Sequence, residues 1–275
     1  MLLKALRPKE WVKNLFVFAP LIFTAKFLER SSDLRTVAAS LLFCLAASVV
    51  YLVNDLADAE ADRLNPLKSN RPLAAGRLSW GVVGVAIVVM ELLVLAGYWL
   101  SPRTTGVILI YQIVNLVYTF GLKRVPVIDL FCVASGFVLR VLAGATVLNV
   151  PLSFWMLNTT LCLALYLATV KRRQELLAVG SKARSVLKLY STDLLDYYAF
   201  FSGVMAVVFY GMFVLTVRPA LEATLPLVVF GFFRYRYLVV QNLKGESPTD
   251  LILTDWALAL TVIGWGVLSA VAMTK

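Results

Sequence analysis

The sequence predicts an all-α, polytopic membrane protein with nine transmembrane helices, and two observations carry that prediction. Sixty per cent of the 275 residues are hydrophobic and only 15 per cent are charged, with a mean hydropathy of +0.83. A water-soluble domain carries about 25 per cent charged residues, so most helices here must be apolar all round, which is the membrane solution. The second observation is punctuation: polar, Pro- and Gly-bearing breaks cut the chain into apolar stretches long enough to cross a bilayer.

In order, the spans fall at about 12–28, 36–54, 79–99, 104–122, 127–148, 152–170, 194–217, 221–240 and 253–274. The first is the least regular, with Pro20 inside it and Lys13 and Lys26 near its ends; a kink at Pro20 is expected. No polar stretch is long enough for a second domain, so 1–275 is expected to form one. Met1 to Glu10 holds Lys4, Arg7, Lys9 and Glu10 without a small-residue cleavage site, and is not expected to be a signal peptide.

Lys and Arg set the orientation. The N-terminal segment and the loops after spans 2, 4, 6 and 8 hold nineteen of them, and the opposite side holds six, with Arg140 inside a span as the twenty-sixth. This bias places the N-terminus in the cytoplasm and, with nine spans, the C-terminus outside. Topology and anionic headgroups account for the formal charge of +10, so a nucleic-acid partner is not implied. Acidic residues hardly affect orientation, yet Asp55, Asp58, Glu60, Asp62, Glu175, Asp193, Asp196, Glu246, Asp250 and Asp255 gather on the same side. That points to a site.

Residue types narrow the chemistry. There is no histidine, and Cys44, Cys132 and Cys162 stand far apart without a CxxC partner. Zinc, disulfides and the commonest general base are set aside. What remains is carboxylates, cations, hydroxyls and a hard metal ion.

Asn54-Asp55-Leu-Ala-Asp58-Ala-Glu60-Ala-Asp62 ends span 2. If the helix continues past the membrane, Asp55, Asp58 and Asp62 fall at i, i+3 and i+7 on one face. Three like charges there repel, and Mg²⁺, with Mn²⁺ as its substitute, resolves this by taking one or two carboxylates plus substrate phosphates. The competing reading is a hydrated acidic loop with capping roles. Just downstream, Pro66, Pro72 and Gly76 break the helix into a loop that carries Arg63, Lys68, Arg71 and Arg77. Beside the acidic face these cations describe a diphosphate clamp, with Arg71 as a bidentate fork.

Tyr118 and Lys123, at the turn between spans 4 and 5, are candidate phosphate contacts or, equally, an interfacial Tyr and a snorkelling Lys. Arg140 lies deep in span 5, as a substrate contact or as half of an internal pair with Glu91. Lys171 and Glu175 share a helix face at i, i+4; Lys171 is assigned to a phosphate with Glu175 orienting it, against the alternative of an ordinary ion pair. Arg172 and Tyr190 complete the set of candidate substrate contacts.

Asn-Asp-x-x-Asp-x-x-x-Asp at 54–62, Arg71-Pro-Leu-x-x-Gly76 and Tyr118-x-x-x-x-Lys123 on nine helices resemble the UbiA superfamily of intramembrane prenyltransferases. The resemblance covers essentially the whole chain. It implies helices around a central cavity opening to the cytoplasmic side, Asp55 and Asp58 as metal-binding catalytic residues, and a second Asp-x-x-x-Asp pair after span 6. The position of that pair holds Lys171-x-x-x-Glu175 here. Arg7-Pro-Lys-Glu-Trp11-Val-Lys13-Asn14, Phe-Gly-Leu-Lys123, Lys171-Arg-x-x-Glu175 and Gly-Glu246 are similar to the branch that transfers a phosphoribosyl group from phosphoribosyl pyrophosphate to decaprenyl (polyprenyl) phosphate, toward cell-wall arabinan.

That similarity implies a soluble sugar donor, a membrane lipid acceptor, Lys13 among the substrate contacts, Lys171 as a catalytic cation, and a site in the bacterial plasma membrane. A homo-oligomer is neither required nor excluded. The alternative is a UbiA-type enzyme moving a prenyl group from prenyl diphosphate to an aromatic or other acceptor. A transporter would instead show inverted repeats and mid-membrane charges.

Overall fold

The computed structural model describes residues 1–64, 69–179, 185–242, 251 and 254–274. Eight long helices dominate them: α1 (Arg30–Ala57), α2 (Trp80–Ala96), α3 (Pro102–Phe120), α4 (Ile128–Leu148), α5 (Phe154–Val179), α6 (Thr192–Val217), α7 (Leu225–Asn242) and α8 (Trp256–Thr274). No strand occurs among the described residues. Seven spans, Arg30–Ala57, Trp80–Trp99, Ile128–Leu148, Phe154–Ala178, Thr192–Val217, Pro219–Gln241 and Trp256–Thr274, are long and apolar enough to cross a membrane. The chain is an integral membrane protein.

Helix starts follow local chemistry. Ser79, Ser101 and Ser191 each stand in extended backbone and accept an N–H from the first turn, of Val82, Thr104 and Leu194 respectively. Pro102 then occupies the first helical position of α3, where its missing N–H costs nothing. At α8 the cap is Asp255, whose Oδ1 accepts the Leu258 N–H at 2.8 Å. Arg234 grips the same carboxylate with two nitrogens at 3.1 and 2.7 Å and holds it below the usual carboxylate range.

Two expected spans differ. The stretch 12–28 is broken: Pro8–Phe18 is 3-10 helix, Ala19–Phe23 is a five-residue α-helix, and Lys26–Leu28 is 3-10 again. Pro20 sits in the first turn of the short helix rather than kinking a long one, and Ala25 turns the chain at φ 58. The stretch 104–122 does form α3, but Gln112 and Asn115 interrupt its apolar character. Gln112 donates to Glu91 at 2.8 Å and Asn115 to the Tyr111 carbonyl at 2.8 Å, so both amides are satisfied inside the protein.

The chain divides into two compact units. The first comprises Met1–Leu21, Lys26–Leu122 and Leu139–Val150. Its core joins Phe43, Val50, Val94, Ile108 and Tyr111 to Ala39, Ala46, Ala47 and Ala143. Small residues let backbones approach closely, the usual basis of helix association without a hydrophobic driving force. The closest approach is at Gly144, where an added Cβ would strike the Val17 carbonyl. Gly144→Ala should therefore push α4 off the 8–18 segment and cost about 1–3 kcal/mol. A thermal midpoint unchanged from wild type in detergent would contradict this packing.

The second unit comprises Ile22–Ala25, Lys123–Val138 and Pro151–Lys275. Here α5 and α6 pair extensively. Tyr166, Val170, Leu238, Val239 and Leu258 form one buried cluster, and Leu130, Val186, Leu187 and Leu195 another.

Candidate active site

The acidic segment does not run as one helix. α1 ends at Ala57, Asp58 takes φ −99, ψ 2, and a new five-residue helix begins at Ala59. Asp55, Asp58 and Asp62 therefore do not lie on one continuous helix as expected, although Asp55 and Asp62 still meet at Arg71. The break instead buries Asp55 and Asp62, each 3 per cent exposed, and leaves Asp58 half-buried. Glu60 is exposed, as its position off that face suggests.

Two buried carboxylates need counter-charge, and Arg71 supplies it from the following loop. Its Nη1 lies 3.1 Å from Asp55 Oδ1 and 2.6 Å from Asp62 Oδ2. The loop is shaped for this delivery. The Ala75 N–H bonds the Arg71 carbonyl, the Gly76 N–H the Leu73 carbonyl, and the Arg77 N–H the Pro72 carbonyl. Gly76 closes the turn at φ 67, in the left-handed region that a side chain resists. Leu73 and Ala74 are buried beneath. Each fixed position of Arg-Pro-Leu-x-x-Gly thus has a physical task. Arg63 fastens the same loop by donating to the Ala74 carbonyl at 3.2 Å, and Asn54 Oδ1 accepts from Thr119 at 3.3 Å. Lys68 lies outside the described residues.

Arg7 is a partner that the motif spacing did not single out. Its Nη2 is bonded to Asp55 Oδ1, and its guanidinium lies 5.0 Å from the Tyr51 ring centroid. Arg7 holds φ 53, a conformation that costs a non-glycine residue roughly 1–3 kcal/mol and persists only when its surroundings enforce it. Lys13 is half-exposed and ion-paired with Glu10.

Both buried aspartates bring an oxygen to one cationic nitrogen, and carboxylate oxygen is the donor a hard divalent ion takes. The residues therefore suit such an ion, with water and substrate oxygens filling its other positions. Among the described residues no group of three or more His, Cys, Asp or Glu could hold a metal.

Arg140 is placed inside the core of the first unit, 4 per cent exposed. It donates to Asn14 Oδ1 at 2.8 Å and to the Tyr111 hydroxyl at 3.3 Å. Its guanidinium stacks within 5 Å of both Phe43 and Tyr111 rings. These contacts make it an internal brace of the first unit. Glu91, its suggested mate, accepts from Gln112 instead.

In the second unit the expected contacts Arg172 and Tyr190 are buried on a residue given no role from sequence, Asp129. Asp129 is fully buried. Arg172 Nε donates to its Oδ2 at 2.9 Å, and the Tyr190 hydroxyl to its Oδ1 at 2.7 Å. Arg172 Nη1 also donates to Glu175 at 3.0 Å. The same Tyr190 oxygen accepts the N–H of Val127, which is held at φ 67. Burial pushes the Tyr190 hydroxyl well above its ordinary range, so it stays a donor. Arg172 and Tyr190 thus act on the protein's own backbone and acids, because burial directs them inward. Lys171 and Lys123 are half-buried in this unit, and Tyr118 is half-buried at the end of α3 in the first.

What the fold and these side chains define is a class: an all-helical integral membrane protein with an acid–arginine cluster at the end of a spanning helix. The chain belongs to the UbiA prenyltransferase family, whose family model matches residues 16–253. It is similar to the decaprenyl-phosphate phosphoribosyltransferase of Mycolicibacterium smegmatis, 33 per cent identical over 96 per cent of this chain and 89 per cent of that one. The protein of the same name from Mycobacterium tuberculosis is 34 per cent identical over 95 per cent of this chain and 90 per cent of that one. Among solved structures, a UbiA homolog from Archaeoglobus fulgidus bound to DMAPP and Mg²⁺ superposes with a TM-score of 0.76. It is 19 per cent identical and covers 99 per cent of each chain, a likeness of fold.

Proposed function

We propose that this chain transfers the 5-phosphoribosyl group from phosphoribosyl pyrophosphate to a polyprenyl phosphate such as decaprenyl phosphate, releasing diphosphate. The observation that carries the proposal is the convergence of Asp55 and Asp62 on Arg71, in a chain similar along nearly its whole length to two decaprenyl-phosphate phosphoribosyltransferases.

In this reading Asp55 and Asp62, with Asp58 beside them, hold Mg²⁺, or Mn²⁺ in its place. That ion, when bound, neutralises the diphosphate as it leaves. Arg71 then offers its planar fork to phosphate oxygens, with Lys13 of the same unit taking further phosphate charge; in the second unit Lys171 and Lys123 are the proposed phosphate contacts. Glu175, tied to Arg172, orients the neighbouring turn of α5. Cations and a single acid at 171–175 suit a sugar carrying a 5-phosphate as well as a diphosphate. The lipid phosphate is already an anion, so the absence of histidine is no obstacle.

The Lys and Arg bias supports a bacterial plasma-membrane protein with its N-terminus and site cytoplasmic and its C-terminus outside. We read 1–275 as one family domain of nine crossings around a cavity open to the cytoplasm, the broken 12–28 segment and α3 supplying the two beyond the seven apolar spans.

The second reading, prenyl transfer to an aromatic or other acceptor, is favoured by the fold likeness to a structure that holds DMAPP. Purified protein given polyprenyl phosphate with labelled phosphoribosyl pyrophosphate, or a labelled prenyl diphosphate with an aromatic acceptor, separates the two. Label is expected in lipid only from the sugar donor and only with divalent metal present. Incorporation solely from the prenyl diphosphate would overturn the proposal.

A further inference from the structure

Three residues on one face of α1 engage the segment that carries Arg7. Ser48, Tyr51 and Asp55 are spaced i, i+3, i+7 and so face the same way. The Ser48 hydroxyl accepts from Trp11 Nε1 at 3.1 Å and shares its one proton between the Cys44 carbonyl at 2.9 Å and the Leu6 carbonyl at 3.2 Å. The chain is thus fastened on both sides of Arg7 to a single buried residue. Tyr51 underlies the guanidinium, and Asp55 accepts from it. Arg7 is delivered to this carboxylate by construction, in a backbone conformation that its neighbours enforce.

Arg7 and Arg71 both use the same oxygen, Asp55 Oδ1. A divalent ion taking that oxygen must displace one of them. Arg71 is tied to two acids, Asp55 and Asp62, whereas among the described residues Arg7 has its ion pair with Asp55. The Arg7 side chain is 28 per cent exposed and that of Arg71 26 per cent, so either can reach solvent, and it is the second acid that holds Arg71 in place. We propose that Arg7 is a place-holding cation: it neutralises Asp55 while the site lacks metal, yields the carboxylate when a divalent ion binds, and then engages the diphosphate that arrives with that ion. This rests on the reading of Asp55 as a metal–diphosphate residue. It makes Arg7 a positioning residue that couples metal entry to donor binding.

The test is Mn²⁺ binding to the purified, detergent-solubilised chain, read by the electron paramagnetic resonance of free Mn²⁺, with and without inorganic pyrophosphate. Arg7→Gln removes the charge; Arg7→Gly also removes it and suits φ 53, so it guards against misfolding. Without pyrophosphate both variants should bind Mn²⁺ roughly tenfold more tightly than wild type, the scale on which a neighbouring cation alters a carboxylate's affinity for positive charge. With pyrophosphate the advantage should vanish or reverse. Arg7→Lys, which keeps the charge, should stay near wild type. Equal or weaker Mn²⁺ affinity in the folded Gln or Gly variant without pyrophosphate overturns the role of Arg7. Tighter Mn²⁺ binding in a protein that fails to use phosphoribosyl pyrophosphate would leave Arg7's role standing and remove the donor assignment. A wild type that binds no Mn²⁺ removes the metal reading beneath both.

Discussion

Asp55→Asn is expected to lower metal-dependent turnover by about 10²–10³-fold, the scale on which a single electrostatic contact to a reacting group matters. Three features of the site set that size. Asp55 is 3 per cent exposed, so water cannot replace its charge. Its Oδ1 is where two arginines meet, so its charge is what holds them at the site. The amide of Asn halves the acceptor capacity and turns a donor toward guanidinium groups that are donors only. Structure should survive the change, because Arg7 and Arg71 are both partly solvated and can rehydrate. The measurement is initial rate at saturating donor and lipid, beside the thermal midpoint. Turnover unchanged, with metal dependence intact, would remove Asp55 from the chemistry.

Asp129→Asn should act on stability rather than on the reacting groups. The carboxylate is fully buried and binds Arg172 at 2.9 Å and Tyr190 at 2.7 Å. Breaking one side of a buried ion pair costs about 3–5 kcal/mol, because the partner charge is left behind. Here the partner is Arg172, only 4 per cent exposed and also bonded to Glu175. The Tyr190 hydroxyl would also lose a charged acceptor, and with it the hold on the Val127 N–H. A drop of several degrees in the thermal midpoint of detergent-solubilised protein is expected. Tyr190→Phe, which removes one hydrogen-bonding group but no charge, should cost about 1 kcal/mol. An Asp129→Asn midpoint equal to wild type would show that Arg172 is not dependent on Asp129.

How far the molecule is legible in its sequence depends on how local each feature is. Seven apolar spans and the serine caps of α2, α3 and α6 could be read directly, since length, hydropathy and an extended Ser before a helix are near-neighbour properties. The nearness of Arg71 to Asp62 and Asp55 was equally readable, because only nine and sixteen residues separate them and Pro66 stands between Asp62 and Arg71 in the sequence. The helix break at Asp58 was not. No Gly or Pro marks it, and periodicity simply extrapolates through it.

Long-range partners were hidden for a different reason. Arg7 reaches Asp55 across 48 residues, and Arg172 reaches Asp129 across 43. Helical spacing says which residues share a face, never which face on another helix they meet. Arg140 shows the consequence. A buried arginine in a span reads as a ligand contact or a structural pair with Glu91, and spacing does not reveal that it bonds Asn14 and Tyr111 instead of Glu91. A sharper reading of Asp129 was available: an acid one residue into a spanning helix is costly enough to require a named partner.

In the proposed reaction the acid–arginine cluster serves a sugar diphosphate while the prenyl chain belongs to the acceptor. This assignment is tested most directly with phosphoribosyl pyrophosphate labelled with ¹⁴C in the ribose and ³²P at the β-phosphate, given with unlabelled decaprenyl phosphate and Mg²⁺. The account predicts ¹⁴C in the lipid extract and an equal amount of ³²P released as inorganic pyrophosphate, both lost in Asp55→Asn. Recovery of ¹⁴C in water-soluble material alone, while a labelled prenyl diphosphate is consumed under the same conditions, would contradict it.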